Sequence, residues 1–164
     1  ENTKDNVRRL SWRLPAPWSG AQRLIRIDLN NSHEVQSIEP FGTPGGGIIA
    51  PPVYVPESEM AITWDSINGG LAGVSDADGE LEVMWHFDAR PTMQPVVFPG
   101  SKELVINDFV DSGDDLIVID IESGELIDRV KTGAKLANGM FLSPTGEGGV
   151  IYCTTNTVAH VRWE

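Results

Sequence analysis

Apolar and polar residues alternate along most of this chain in short runs with a period of two. Arg23-Leu-Ile-Arg-Ile-Asp-Leu29 alternates most clearly, and Leu116-Ile-Val-Ile-Asp120 and Val150-Ile-Tyr152 are short apolar runs of strand length. A period of two places successive side chains on opposite faces of an extended backbone, so these runs predict β-strands. Nowhere is there a sustained period near 3.6, and no helix is predicted. The best-defined stretch is Asp115 to Val130, where an apolar run ends at Asp120, Glu122-Ser-Gly124 turns, and a second run begins at Glu125. Two such runs around a short Gly-containing turn predict an antiparallel hairpin.

That hairpin recurs. Ile27-Asp28 matches Ile119-Asp120, and the turn Asp78-Gly-Glu-Leu81 matches Ser123-Gly-Glu-Leu126, with Gly79 and Gly124 lying 45 residues apart. Upstream, Pro52-Val-Tyr-Val-Pro-Glu-Ser-Glu-Met-Ala-Ile-Thr-Trp-Asp65 resembles Pro95-Val-Val-Phe-Pro-Gly-Ser-Lys-Glu-Leu-Val-Ile-Asn-Asp108. It also resembles Gly139-Met-Phe-Leu-Ser-Pro-Thr-Gly-Glu-Gly-Gly-Val-Ile-Tyr152. Pro56, Pro99 and Pro144 recur at spacings of 43 and 45. Four short strands in about 45 residues is the period of a β-propeller blade.

The expected fold is therefore all-β, with blades of four antiparallel strands a to d. The segments are 8–40 (strands b to d), 47–89, 92–132 and 138–164 (strands a to c). These make about three and a half to four blades of one domain, expected to be the C-terminal part of a ring of about six to eight. A closed four-bladed ring is the rival. An open array needs partners for its edges and apolar faces, either the remaining blades or a second copy of the chain.

Composition narrows the function classes. The chain has 164 residues, 24 acidic against 12 basic, and a formal net charge of −12. Such an excess repels phosphate backbones and anionic bilayers, which argues against nucleic-acid and membrane-surface partners. No apolar run approaches the roughly 20 residues of a spanning helix, so a soluble protein is expected, of unspecified compartment. The single cysteine, Cys153, rules out an internal disulfide and is read as a buried, inert thiol. The histidines His33, His86 and His160 fall on different strand types and form no expected cluster.

Two resemblances follow from the repeat. Leu116-Ile-Val-Ile-Asp-Ile-Glu-Ser-Gly-Glu-Leu-Ile127 and Asp78-Gly-Glu-Leu-Glu-Val-Met-Trp85 resemble the quinoprotein-like repeat, with its Trp near the end of the outer strand. Ala137-Asn-Gly-Met-Phe-Leu-Ser-Pro-Thr-Gly146, followed by Val150-Ile-Tyr152, is similar to a motif of the gluconolactonase-like and strictosidine-synthase-like propellers. The second resemblance implies a divalent-metal ligand at Asn138. The acidic ligand expected after the Tyr-containing strand is replaced by Thr154.

In a propeller the d–a and b–c connections share the end that forms the channel mouth. That end holds polar side chains with no turn duty, and Trp64, Asp65, Arg90, Gln94, Asn107, Asp108 and Asn138 are the candidate ligand-binding residues. Asp111-Ser-Gly-Asp-Asp115 is read as an acidic loop joining strands b and c. The leading functional expectation is a non-catalytic module that binds a small molecule or protein at this rim. The alternative is a metal-dependent lactonase or hydrolase in which Asp108 and Asn138 hold calcium or zinc, in a site shared with further blades. A quinone-dependent dehydrogenase is a third reading.

Overall fold

The computed structural model describes residues 20–30, 34–46, 52–98, 100–111, 113–133, 142–145, 148–153 and 157–163. It is all-β, with four antiparallel sheets, none of them closed. The first is the hairpin of β1 (Leu24–Ile27) and β2 (Val35–Ile38). The second runs β3 (Val53–Val55), β4 (Met60–Trp64), β5 (Leu71–Ser75) and β6 (Glu82–Phe87). The third runs β7 (Val96–Val97), β8 (Glu103–Val110), β9 (Gly113–Asp120) and β10 (Leu126–Lys131). The fourth holds β11 (Leu142–Thr145), β12 (Gly149–Cys153) and β13 (Val158–Arg162). Strands are neighbours in chain order, joined by short turns, as the period-two runs predict.

The third sheet shows why this chain stacks its sheets. Both faces of β8 and β9 are apolar. Leu104, Ile106, Ile117 and Ile119 point to one side and pack with Val55, Met60, Ile62, Trp64 and Leu71 of the second sheet. Val105, Leu116 and Val118 point to the other and pack with Leu142, Val150 and Tyr152 of the fourth. A strand buried on both faces reads as a continuous apolar run rather than an alternating one, and Leu116-Ile-Val-Ile119 is such a run. The second, third and fourth sheets thus lie in sequence order with an apolar layer between each pair.

Trp85 ties the second sheet to the third. Its indole lies over Gly73 of β5 and against Gly124 in the β9–β10 turn, and a Cβ at either glycine would collide with the ring. Gly124 also has φ +72°, a conformation that suits glycine. The indole Nε1–H donates to the Ile121 carbonyl at 2.8 Å, a bond buried between the sheets.

The first hairpin meets the second sheet at the corresponding turn, but with polar groups. Gln36 donates from Nε2 to the Gly79 carbonyl at 2.6 Å, and its Oε1 accepts from Leu81 N at 3.1 Å. Arg26 donates to the same carbonyl at 3.2 Å. Its Nε lies 2.7 Å from Asp76 Oδ1, an ion pair by distance with poor hydrogen-bond geometry. Asp76 and Asp78 therefore belong to an inter-sheet turn.

Two expectations change here. Asp114 and Asp115 do not lie in a b–c loop: they pair with Phe109 and Asp108 within β8 and β9, and both are buried. Gly113 already belongs to the ladder, so the turn is confined to the residues around Asp111. Cys153 is half-buried at the end of β12 rather than enclosed. Asn138, Thr154, His33 and residues 8–19, the start of the first expected blade, lie outside the described residues.

Candidate functional site

The connection from β6 to β7 crosses from the second sheet to the third and is stapled to both. Ala89 O accepts from Gly70 N at 2.6 Å, on the second sheet's β4–β5 turn. One residue later, Arg90 O accepts from Phe109 N at 3.0 Å, and Arg90 N donates to Asp108 Oδ1 at 2.8 Å. Asn107 secures the next residues: its Oδ1 accepts from Thr92 N at 3.0 Å and Met93 N at 3.1 Å. Arg90 is on the wall of a cleft of about 350 Å³, lined also by Asn68, Gly69, Asp88, Asp108, Phe109 and Asp111 among others.

An aspartate near the end of the second strand of a sheet does similar work twice. Asp108 holds the backbone of the preceding connection at Arg90. Asp65, 43 residues earlier, sits against Gly46 of the connection before β3, leaving no room for a Cβ there. Asp65 also closes its own turn, its Oδ1 accepting from Ile67 N at 2.9 Å and Asn68 N at 3.0 Å. A short acceptor side chain two or three residues before a free N–H forms such a turn readily.

Behind the cleft lies a charged cluster. Arg129 on β10 reaches across β9, its Nη1 2.9 Å from Asp108 Oδ2 and 3.0 Å from Asp115 Oδ2. Asp108 and Asp115 are directly opposed on β8 and β9, and the guanidinium between them offsets a repulsion that would strain the ladder. Burial would lower the Arg129 pKa, yet hydrogen bonds and Coulomb attraction from the two carboxylates outweigh it and raise it. Deeper in, Asn107 Nδ2 donates to Asp114 Oδ1 at 3.1 Å, and Tyr152 of the fourth sheet donates to Asp114 Oδ2 at 3.0 Å. Burial, followed by the Asp114 charge, pushes the Tyr152 hydroxyl well above the ordinary phenol range. It remains a donor at all physiological pH.

These contacts sort the sequence-predicted residues. Arg90 and Asp108 line the cleft. Trp64 does not reach a ligand; it is 1% exposed and packs in the layer between the second and third sheets. Asp65 and Asn107 are fully buried with their groups engaged in turn and connector bonds, so they position the rim. Gln94 is exposed on the connection but is not part of the cleft lining. Asn138 lies outside the described residues. Asp88, which also lines the cleft, is not singled out by the sequence, whereas Asn68 belongs with the polar residues expected at the channel-mouth end and Asp111 with the acidic run.

The chemistry of the cleft is polar and mixed in sign. Arg90 is exposed and its guanidinium has no ion-pair or hydrogen-bond partner among the described residues, and Asp88 and Asp111 line the same cleft. Asp108, the residue proposed from sequence as a metal ligand, has both oxygens engaged, one by Arg90 N and one by Arg129. To ligate a cation it would have to give up its guanidinium, so the calcium or zinc reading draws no support from it. Among the described residues no group of three or more His, Cys, Asp or Glu could hold a metal ion. No helix among them is long and apolar enough to cross a membrane. Compared with models of known families and with curated proteins, the chain matches none.

Proposed function

We propose that the stacked sheets are a sector of a β-propeller and that its connection-bearing end binds a small polar molecule in the Arg90 cleft. The propeller reading is supported by sheets that follow one another in chain order, each meandering, with the third buried on both faces. The binding reading is carried by one observation. A guanidinium without a partner among the described residues is held in a concavity by a backbone that five separate hydrogen bonds fix in place. Rigid loops presenting a few unsatisfied polar groups are how binding sites are built on such scaffolds.

The ligand class follows from the lining. Arg90 suits a carboxylate or phosphate, which it can engage through paired N–H groups. Asp88 and Asp111 suit hydroxyl or amine donors on the same molecule. With a net charge of −12 on the chain, attraction for the anionic group has to be local, and Arg90 supplies it. Sugar acids, amino acids and sugar phosphates share this pattern.

Calorimetric titration with a panel of those three classes tests the proposal. At least one member is expected to bind, and Arg90→Ala should weaken it about tenfold or more while leaving the circular dichroism spectrum unchanged. Failure of the whole panel, or binding indifferent to both Arg90→Ala and Asp111→Asn, would overturn it.

A further inference from the structure

A second cavity, of about 450 Å³, opens between the third and fourth sheets and is lined by Phe98, Ser101, Glu103, Pro144, Thr145, Gly148 and Trp163. Strand β8 separates it from the Arg90 cleft. Glu103 begins β8 and Asp108 lies five residues further along. At strand rise this sets the two about 17 Å apart, at opposite ends of the sheet. Alternation also sets the face. Leu104 and Ile106 point to the second sheet, so Glu103 shares the side of Val105, toward the fourth.

The walls are aromatic. The rings of Phe98 and Trp163 meet edge to face, with centroids 5.5 Å apart, and both line the cavity. The polar groups are few. Ser101 Oγ accepts from Glu103 N at 2.8 Å, and Thr145 Oγ1 is 3.4 Å from His160 Nε2. The Glu103 carboxylate is half-buried, and neither a cation nor a hydrogen-bond donor engages it among the described residues. Among the described residues the cavity lining contains no lysine or arginine.

We infer that this cavity is a binding site for an organic cation, an alkylammonium group such as a lysine or methylated-lysine side chain. Aromatic faces carry negative potential and attract a poorly hydrated cation, and one carboxylate at the edge fixes its position. A strongly hydrated metal ion would find one carboxylate and no cage among the described residues. A neutral apolar molecule would leave Glu103 desolvated and unpaired. The chain's net charge of −12 adds long-range attraction for cations. The site is independent of the Arg90 cleft, with which it shares no residue.

Tetramethylammonium chloride, with tert-butanol as a neutral probe of the same shape, separates the outcomes. Trp163→Phe identifies the Trp163 indole cross-peak in proton–nitrogen correlation spectra. Titration of the wild-type chain should move that peak saturably with tetramethylammonium but not with tert-butanol or with sodium chloride at matched ionic strength. Glu103→Gln, a conservative change at a partly exposed position, should weaken binding at least about threefold. Nε-trimethyl-lysine should bind at the same peak. Equal response to tert-butanol, unchanged affinity in Glu103→Gln, or saturable binding of maltose with none of tetramethylammonium would overturn the assignment.

Discussion

Asp120 shows how much one carboxylate can organise. Its Oδ1 accepts from Ser123 N at 2.8 Å, Ser123 Oγ at 2.9 Å and Glu122 N at 3.0 Å, closing the turn between β9 and β10. The Ser123 N–H is the main reason its pKa falls below the usual range, against an opposing effect of partial burial. A carboxylate with a depressed folded pKa stabilises the fold above its unfolded pKa, near 4, and that contribution is lost as pH falls through the folded value. Asp120→Asn should therefore cost up to about 1 kcal/mol at pH 7, with the deficit shrinking toward pH 3. Urea unfolding at the two pH values checks it, and an equal deficit at both would show that the charge is irrelevant. Asp28 makes the same kind of turn with Asn30 N at 2.7 Å. This recurrence made the repeat readable, because an aspartate ending a strand has a local reason to be there.

At the scale of elements, the contacts between sheets are less legible. The Trp at the end of the outer strand stood out in the sequence, but not the surface it meets. That surface is assembled from Gly73, Gly124 and the Ile121 carbonyl, from two different sheets. Trp85→Phe would keep most of the apolar contact and remove the Nε1–H, leaving a buried carbonyl without its donor. A loss of about 1–3 kcal/mol in unfolding free energy is expected, read by chemical denaturation. A variant as stable as the wild type would mean the indole acts by packing alone. The Asp108–Arg129–Asp115 cluster has the same character. Arg129 stands on a largely exposed strand and gives no local sign that it neutralises two carboxylates, one on the neighbouring β9 and one on β8 beyond it.

Across the whole molecule, stability should follow the stacking. The central strands β4, β5, β8 and β9 bury residues in layers shared between sheets, whereas Ile25, Ile27 and Val35 of the first hairpin are more than half exposed. The hairpin's described contacts to the second sheet are polar and lie at the surface or half-buried. Hydrogen exchange should accordingly be slowest in β8 and β9 and fastest, by about two orders of magnitude or more, in β1 and β2. Uniform protection across the four sheets would contradict this layering.

Period-two alternation, strand-ending aspartates and turn glycines determined by themselves that the chain is all-β and antiparallel, because those signals act over two to five residues. They also directed attention to Arg90 and Asp108, polar residues expected on connections with no turn to make, although Asp108 lies within β8. Only the tertiary structure decided what such residues do. Trp64 and Asn107 fell to the core and to a connector bond, and Asp65 to its turn, because burial and pairing depend on residues about 15 or more positions away as well as on near neighbours. Glu103 acquired aromatic neighbours for the same reason: Phe98 is close in sequence, but Trp163 arrives only when the fourth sheet stacks on the third.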